Sequence, residues 1–254
     1  MKRVAVFCVT YNSDKELEQY EASLKKAVEK ANGAVEMDIY TAKNTKVDNP
    51  GYFGGIRRQM EKVDVEAYDY CILSNVDLTV EEDFFVKLAA YDCAEDTGWI
   101  APQIWSEVEH RDRNPKIKSR YSLRKLQILR TFYQFPILDT LYTKTLYKRK
   151  RGNESQESVG RAPVLGGSIY AGHGSFIILT RKYFEQCGKI DYPVFLFCEE
   201  IYLAEECLKG GLKVMHVPEI KVFDTEHAST GKMNHRFYCR CNYEAMQYII
   251  RQFY

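Results

Sequence analysis

Apolar runs of strand length alternate with stretches of helical periodicity over the first hundred residues. Residues 3–10 are almost continuously apolar, as in a strand that is buried on both faces of a parallel sheet. Residues 17–28 carry apolar side chains at three- and four-residue spacing, which predicts one face of a helix. Residues 35–39 alternate between apolar and polar side chains and predict a second strand. Strand, helix and strand at this spacing are typical of a βαβ unit.

The alternation continues to residue 104 and returns after residue 166. Residues 70–77 and 99–104 predict two more strands in the first part. The second part contains three predicted strands, 175–180, 213–217 and 220–223, and three predicted helices, 181–186, 201–209 and 236–254. Two capping-box pairs, Ser13 with Glu16 and Thr79 with Glu82, predict helix starts. The pattern as a whole predicts an α/β protein whose strand ends gather at one edge of a sheet.

The predicted strand from Tyr70 to Asp77 ends in polar residues, and the last of them is the carboxylate Asp77. Ligands of open parallel sheets bind beyond the carboxyl ends of the strands. Asp77 is therefore well placed to hold a divalent cation, because hard cations prefer oxygen ligands. An ordinary turn is the alternative, since Ser, Asn and Asp often end strands by bonding to local backbone.

A glycine-rich stretch runs from Asn44 to Met60. Asn49-Pro50-Gly51 is a turn signal, and Gly54-Gly55 allows close approach of the backbone. A helix is predicted to begin near Gly55, and its N-terminus would suit an anion. The pattern equally fits a glycine-rich connector.

The segment 105–165 departs from the α/β pattern. Between Trp105 and Arg151 it holds 13 Lys and Arg against 4 Asp and Glu, interleaved with Tyr, Leu and Phe. Such a composition is typical of an interfacial helix at an anionic membrane. A helical insertion packed on the domain, with a solvated basic face, fits as well. The run Lys148–Arg151 is a weaker candidate for a nucleic-acid patch, because no nucleic-acid module accompanies it.

Composition adds few constraints. The net charge of the 254 residues is +1, which predicts no polyanionic partner. The eight cysteines form no CxxC pair, Cys239-x-Cys241 is a weak metal signal, and His235 has no assigned role. The start Met-Lys-Arg leads straight into a strand without a secretory hydrophobic region, so we expect reduced thiols and a cytoplasmic location.

Six segments recur in the order and spacing of a known family. They are Thr10-Tyr11-Asn12, the Asn/Gly-rich loop 49–55, Asn75-Val76-Asp77, residues 174–191, Phe195-Leu-Phe-Cys-Glu-Glu200, and residues 222–230. In this order they resemble the family 2 glycosyltransferases of the GT-A fold, with a likeness to bacterial rhamnosyltransferases of polysaccharide synthesis. The resemblance covers residues 1–104 and 166–230.

The resemblance implies a GT-A fold, with a Rossmann-like, mostly parallel mixed sheet flanked by helices in a single domain, 1–254. Residues 1–104 would be the nucleotide-sugar-binding half, and 105–165 a basic helical insertion. Residues 166–235 would be the acceptor and catalytic half, and 236–254 a C-terminal helix.

The resemblance also implies roles for individual residues. Glu200 would be the catalytic base, and a divalent cation, Mg²⁺ or Mn²⁺, would be held by Asp77 with Asp224 or His227. The substrate-binding residues would be Thr10, Tyr11, Asn12, Asn49, Gly54, Gly55, Asn75, His173 and Glu199. His173 also fits a purely structural role in its Gly-rich turn.

Three positions depart from the family's pattern. Asn75 stands where the first Asp of the DxD motif is expected, which leaves Asp77 to hold the metal. Glu200 stands where the family usually has Asp, so the base would lie about one methylene further out. The metal loop aligns ambiguously: Asp224 takes the place of the family's His, and His227 follows three residues later.

The implied activity is that of an inverting, metal-dependent hexosyl- or deoxyhexosyltransferase. It would move a sugar from a UDP-, dTDP- or GDP-sugar to a hydroxyl of a glycan or a polyprenyl-diphosphate-linked acceptor, in cell-surface polysaccharide synthesis. Residues 105–151 would bind either the acceptor or an anionic membrane at its inner side, and nucleic acid is not an expected partner. The rival interpretations are a nucleotidyltransferase, which lacks the expected Gly-rich basic signature, and a catalytically degenerate GT-A protein that binds nucleotide-sugars or glycans.

Overall fold

The computed structural model describes residues 1–140, 166–224 and 233–254. This part of the chain divides into two compact units. The first contains residues 1–120, 166–195 and 199–224, and the second contains residues 121–140, 196–198 and 233–254.

The first unit is built on a mixed sheet. Its described strands are β1 Lys2–Tyr11, β2 Val35–Asn44, β3 Tyr70–Asn75, β4 Leu78–Val80, β5 Thr97–Ser106, β6 Arg111–Asp112, β7 Gly167–Ile169, β8 Phe176–Thr180 and β9 Lys213–Asp224. Its α-helices are α1 Asp14–Lys30, α2 Tyr52–Met60, α3 Phe84–Ala90, α5 Arg181–Cys187 and α6 Glu199–Lys209, and Val65–Ala67 form a 3₁₀ turn. The second unit holds α4 Leu123–Gln134 and α7 His235–Phe253.

The main path of the sheet has the order β2-β1-β3-β8-β5-β9-β4, with β6 on β5 and β7 on β9. β1 pairs in parallel with β2 and β3, and β5 pairs in parallel with β9. β8 is inserted antiparallel between β3 and β5, and β4 closes the far edge antiparallel to β9. The predicted fold class, a mostly parallel mixed sheet flanked by helices, is confirmed.

The predicted βαβ unit at the start of the chain is present. α1 buries Leu17, Tyr20, Leu24 and Ala27, and the Tyr20 hydroxyl lies 2.7 Å from the Ser74 hydroxyl on β3. The capping box at its start is absent, however. Ser13 occupies the N-cap position without a side-chain cap bond, because its hydroxyl instead donates to the carbonyl oxygen of Tyr11. α1 is therefore held by its apolar face.

The second predicted capping box is also wrong. The segment that contains Thr79 is strand β4, in which Leu78 and Val80 are buried and paired with β9. The helix begins only at Phe84. Tertiary strand pairing has overridden the local helix-start signal here. In the same way, the two strands predicted in 213–223 form one continuous β9, whose pairing with β5 shifts register between Val217 and Lys221.

The described part of the basic segment is distributed over both units. Residues 105–120, which include the end of β5 and all of β6, belong to the first unit. In the second unit α4 is capped by Ser122, whose hydroxyl accepts from the Lys125 amide at 3.3 Å. Leu126 is fully buried, and Tyr133 packs edge-on against Tyr238 of α7. α4 thus packs against the C-terminal helix, but within α4 only Leu126 is buried, while Leu123 and Ile128 are exposed.

Four apolar side chains in residues 128–138 stay exposed, namely Ile128, Phe135, Ile137 and Leu138. No helix in the described part of the chain is both long and apolar enough to cross a bilayer.

Candidate active site

Polar residues gather where the parallel strands end. β1 ends with Thr10 and Tyr11 beside the end of β3 at Asn75. Thr10 is buried, and its hydroxyl oxygen has no hydrogen-bond partner among the described residues, whereas Tyr11 is 46% exposed. Asn12 follows with φ +54°, a left-handed conformation that asparagine tolerates better than most residues. This edge is the ligand-binding edge of an open α/β sheet.

The turn that carries Asp77 is fixed from two sides. The Asn75 amide donates to the carbonyl oxygen of Ser175 at 2.9 Å. Directly after Asp77, Leu78 pairs across the sheet with Asp224, the last residue of β9. Two carboxylate positions separated by about 150 residues of sequence are thereby held on neighbouring strands, as a shared cation site requires.

Asp224 is itself buried and forms an ion pair with an arginine side chain. The residue is 4% exposed, and its Oδ2 lies 2.5 Å from a guanidinium nitrogen of Arg113. The Glu107 amide donates to the Asp224 carbonyl oxygen at 3.2 Å, which fixes the backbone. Arg113 was not among the predicted site residues, because only the fold brings it to the end of β9. His227, the other candidate metal ligand, lies outside the described residues.

The catalytic-base candidate opens helix α6. Glu199 is buried and Glu200 is half-buried at the first two positions of the helix, where the macrodipole favours negative charge. Phe197 and Cys198 precede them with φ values of +74° and +62°. Two successive left-handed residues are costly, which is typical of functional sites.

Glu200 approaches the same backbone segment that fixes the Asp77 turn. A Cβ atom at Gly174 would lie 3.5 Å from Oε2 of Glu200. The next residue, Ser175, accepts the hydrogen bond from Asn75. Glu200, the strand end at Asn75 and the Asp77 turn are therefore neighbours at one edge of the first unit.

Tyr52, at the start of α2, is a further polar group at this edge. Its hydroxyl is buried and has no hydrogen-bond partner among the described residues. Burial raises the pKa of the Tyr52 hydroxyl well above its usual value, and the negative charge of Glu199 and, more weakly, of Asp77 raises it further. Tyr52 was missed as a site residue although it lies in the Asn/Gly-rich loop, because nothing in that pattern indicates where the hydroxyl points.

The Asn/Gly-rich loop is held by side-chain bonds. Asn49 Oδ1 accepts from the Gly51 amide and from the Asn44 side chain, both at 3.1 Å. Gly51 has φ +83°, and a Cβ there would lie only 1.9 Å from the carbonyl oxygen of Phe195. Helix α2 therefore begins at Tyr52, three residues before the predicted start. Only glycine fits at position 51.

Gly54 and Gly55, the two glycines predicted to contact substrate, are closely packed against other residues of the protein. A Cβ at Gly54 would meet the Pro50 ring at 2.8 Å. One at Gly55 would meet Asn44 and Val9 at 3.2 Å. These glycines let α2 lie close against the ends of β1 and β2, and their contact with a substrate stays a prediction.

His173 is hydrogen-bonded both to its own loop and to Asn114. Its amide donates to Asn114 Oδ1 at 2.7 Å, and its Nδ1 lies 2.9 Å from the Ser175 hydroxyl. Burial, together with the positive charges of Lys116, Arg113 and Arg111, lowers the pKa of the imidazole to about 3. His173 is therefore neutral at physiological pH and shapes the 173–175 segment. Its contact with an acceptor stays a prediction.

The residues at this edge fit a hard cation. Asp77 and Asp224 supply carboxylate oxygens from adjacent strand ends, which is the donor type that Mg²⁺ and Mn²⁺ prefer. The Tyr52 hydroxyl at the same edge is buried and has no hydrogen-bond partner within the described part of the chain. A cation at Asp224 would have to share this carboxylate with Arg113.

A separate cavity of about 590 Å³ lies at the other end of α2. Its lining includes Arg57, Val65, Phe184 and Asp191 and none of the predicted site residues.

The fold has clear counterparts among solved structures. The catalytic domain of Drosophila β1,4-galactosyltransferase 7, in complex with xylobiose, is 13% identical with a TM-score of 0.50 over 94% of this chain and 80% of that one. GalNAc-T7 with UDP, GalNAc and Mn²⁺ is 11% identical with a TM-score of 0.56, over 89% of this chain and 44% of that one. TarS of S. aureus is 12% identical with a TM-score of 0.52, over 98% of this chain and 39% of that one.

No protein-family model matches the sequence, and no curated protein matches it. At these identities the structural likeness establishes the fold alone. That fold is the one of the GT-A glycosyltransferases.

Proposed function

We propose that the protein is an inverting glycosyltransferase that moves a sugar from a nucleotide-diphospho-sugar to an acceptor hydroxyl. The observation that carries the proposal is the gathering of Asp77, Asp224 and Glu200 around the ends of parallel strands in one unit. Structural neighbours support it: the Drosophila galactosyltransferase has been solved with manganese, UDP-Gal and xylobiose, and GalNAc-T7 with UDP, GalNAc and Mn²⁺.

Glu200 is the proposed general base. It would accept the proton of the acceptor hydroxyl, whose oxygen then attacks the anomeric carbon from the face opposite the leaving diphosphate. A single displacement inverts that carbon. The carboxylate is half-buried at the start of α6, and as the base it would have to lie within hydrogen-bond reach of the proton that it takes.

The nucleotide would lie along the ends of β1 and β3. Tyr11 is exposed there, and Thr10 and Tyr52 both present hydroxyls that lack a partner among the described residues. Asn12, Asn49 and Asn75 would add amide contacts to the base or the ribose. Glu199, next to Glu200 at the start of α6, would contact the sugar.

Asp77, together with Asp224 or His227, would hold the divalent cation. When bound, that cation would neutralise the departing diphosphate as a Lewis acid. Arg113 would meanwhile orient the Asp224 carboxylate through their ion pair.

Replacing Glu200 by Gln tests the central assignment. Transfer should fall at least about 100-fold while Mn²⁺-dependent donor binding persists, because the amide keeps the shape and loses the base. Glu206→Gln on the same helix is the matched control and should leave transfer unchanged. Unchanged transfer in the Glu200 variant would show that another group is the base.

A catalytically degenerate binding protein is the second candidate. Two observations favour it: Asn75 replaces an acidic residue, and Arg113 already neutralises Asp224. Thermal shifts with Mn²⁺ and a panel of UDP-, GDP- and dTDP-sugars separate the candidates. Stabilisation followed by nucleotide release on adding acceptors indicates the enzyme, and stabilisation without release on any acceptor indicates the binder.

The finer proposal concerns the acceptor and the location. We propose a family 2 hexosyl- or deoxyhexosyltransferase of cell-surface polysaccharide synthesis, acting in the cytoplasm on a glycan or polyprenyl-diphosphate-linked acceptor. The net positive charge of residues 105–151 and the exposed Ile128, Phe135 and Ile137 support contact with an anionic membrane. Flotation with anionic vesicles at low and high salt tests this, and absence of binding at low salt would reject it.

A further inference from the structure

Three potential ligand side chains converge in the second unit, at residues that have no part in the proposed transfer reaction. His235 Nε2 lies 2.9 Å from Asp139 Oδ2 and 3.5 Å from Cys239 Sγ, and Cys239 Sγ lies 3.8 Å from the same Asp139 oxygen. All three ligand atoms fall within 4.8 Å of one another. The carboxylate and the thiol are buried, and the imidazole is exposed.

Local structure explains the convergence. His235 and Cys239 are four residues apart on α7, so their side chains lie on the same face of the helix. Asn234 caps this helix by accepting from the amides of Arg236 and Phe237, which fixes the first turn where His235 stands. Asp139 arrives from the helical residues 136–140, and no local pattern could link it to His235, which follows 96 residues later.

The hydrogen-bond geometry does not match a Cys-His-Asp catalytic relay. In such a relay the acid holds one ring nitrogen while the other takes the proton of the nucleophile. Here a single nitrogen, Nε2 of His235, faces both the carboxylate and the thiol. Convergence of N, O and S atoms on one point is instead the arrangement of a metal-ligand set.

The distances between the ligand atoms can be compared with those of a tetrahedral site. Zinc bonds of about 2.0–2.3 Å at tetrahedral angles place N and O about 3.4 Å apart, and place S about 3.6 Å from either atom. The observed separations are 2.9 Å between N and O, 3.5 Å between N and S, and 3.8 Å between O and S. Small side-chain rotations that move His235 away from Asp139 would therefore admit the ion.

We propose that Asp139, His235 and Cys239 form a zinc site with three protein ligands and one further coordination position. Thiolate, imidazole and carboxylate are the ligands that Zn²⁺ takes in proteins. The thiolate disfavours Mg²⁺ and Mn²⁺, which prefer oxygen. Bound zinc would cross-link the helical residues 136–140 to the N-terminal part of α7 and so stabilise the second unit.

Spectroscopy of the Co²⁺-substituted protein tests the thiolate ligand directly. The chelator-treated full chain is titrated with Co²⁺, and zinc affinity is then measured by competition with a chromogenic chelator. One equivalent of Co²⁺ should produce a near-ultraviolet thiolate charge-transfer band, and Zn²⁺ should abolish it. Cys239→Ala should lose the band, while the matched control Cys241→Ala, buried on the same helix, should keep it.

Zinc affinity gives the second measurement. Loss of a second-shell partner alone costs 10–100-fold, so removing a direct ligand should weaken zinc binding at least about 100-fold. His235→Ala changes an exposed helical position and tests the site even if Cys239→Ala fails to fold. Absence of one-equivalent binding, a cobalt spectrum without the thiolate band, or unchanged affinity in the His235 variant would each overturn the proposal.

Discussion

Two clusters of potential metal ligands in this chain differ in their chemistry and in what holds them. In the first unit, Asp77 and Asp224 offer only oxygen and are placed by strand pairing. In the second unit, Asp139, His235 and Cys239 offer oxygen, nitrogen and sulfur, two of them from one helix face. The first set suits a hard cation that is shared with phosphates, and the second suits a borderline-soft ion that stays with the protein.

The contrast teaches how placement differs between the clusters. A helix brings residues i and i+4 together from local sequence alone. Strand ends bring together residues from distant parts of the sequence, and they need supporting loops such as the one around Gly51. The first cluster should therefore be sensitive to backbone changes that leave the second untouched.

The largest expected effect is on that loop. Gly51→Ala should destabilise the first unit by at least about 3 kcal/mol, because the new Cβ would meet the Phe195 carbonyl oxygen at 1.9 Å in a left-handed backbone. Gly188→Ala is the control: φ is +74° and ψ is −151° there, a backbone region that alanine also disfavours, but the space around it is open, and the expected cost is about 2 kcal/mol. Denaturant unfolding measures both, and equal losses would mean that the loop yields easily.

The next effect separates the two clusters by their cations. Asp77→Ala should weaken Mn²⁺-dependent binding of the donor at least about 100-fold and leave zinc affinity unchanged, because Mn²⁺ depends on oxygen ligands. Cys239→Ala should do the reverse. Calorimetric titration of both variants with Mn²⁺ and with Zn²⁺ measures these affinities. A variant that loses affinity for both ions would show that the two clusters are not independent.

A pH-dependent stability of intermediate size should come from His173. Its pKa is about 3 in the folded protein and about 6.5 when unfolded, so the unfolded chain binds the proton more readily. The contribution of His173 to the free energy of unfolding should therefore be fully present above pH 6.5. It should be lost progressively as the pH drops towards 3, and the loss should reach about 2 kcal/mol at pH 5. His173→Gln should flatten this part of the unfolding profile, and an unchanged slope would assign it to other groups.

The smallest effect concerns the buried hydroxyl of Tyr52. Tyr52→Phe should change the free energy of unfolding by less than about 1 kcal/mol, in the stabilising direction, since it removes a buried polar atom that has no partner among the residues the structure describes. If the hydroxyl meets the donor, affinity for the nucleotide-sugar should fall by about fivefold. A destabilised variant would show that the hydroxyl has a partner in the folded protein.

Sequence patterns predicted the sheet better than the site. The runs that became β1 and β3 are buried on both faces, and this produces a continuous apolar signal that needs no tertiary knowledge. β4 was mistaken for a helix start because three residues paired with β9 carry little signal of their own. Local propensity cannot report a partner that lies about 140 residues away.

For the site, residue types could be predicted and contacts could not. The resemblance identified Asp77, Asp224 and Glu200 as candidates. Their position at one edge of the sheet follows only from the fold. Arg113 and Tyr52 escaped notice because their roles rest on the direction of a side chain. Asp139 escaped because its partners follow in sequence only after residue 230.

The brevity of β4 has a dynamic consequence. Leu78–Val80 fasten the Asp77 turn to β9 through a three-residue pairing at the edge of the sheet, where local opening is easiest. Each opening would separate the turn from Asp224 and release whatever the two jointly hold. A ligand that bridges Asp77 and Asp224 should thus slow amide hydrogen exchange throughout β4, although it touches none of the three residues in that strand.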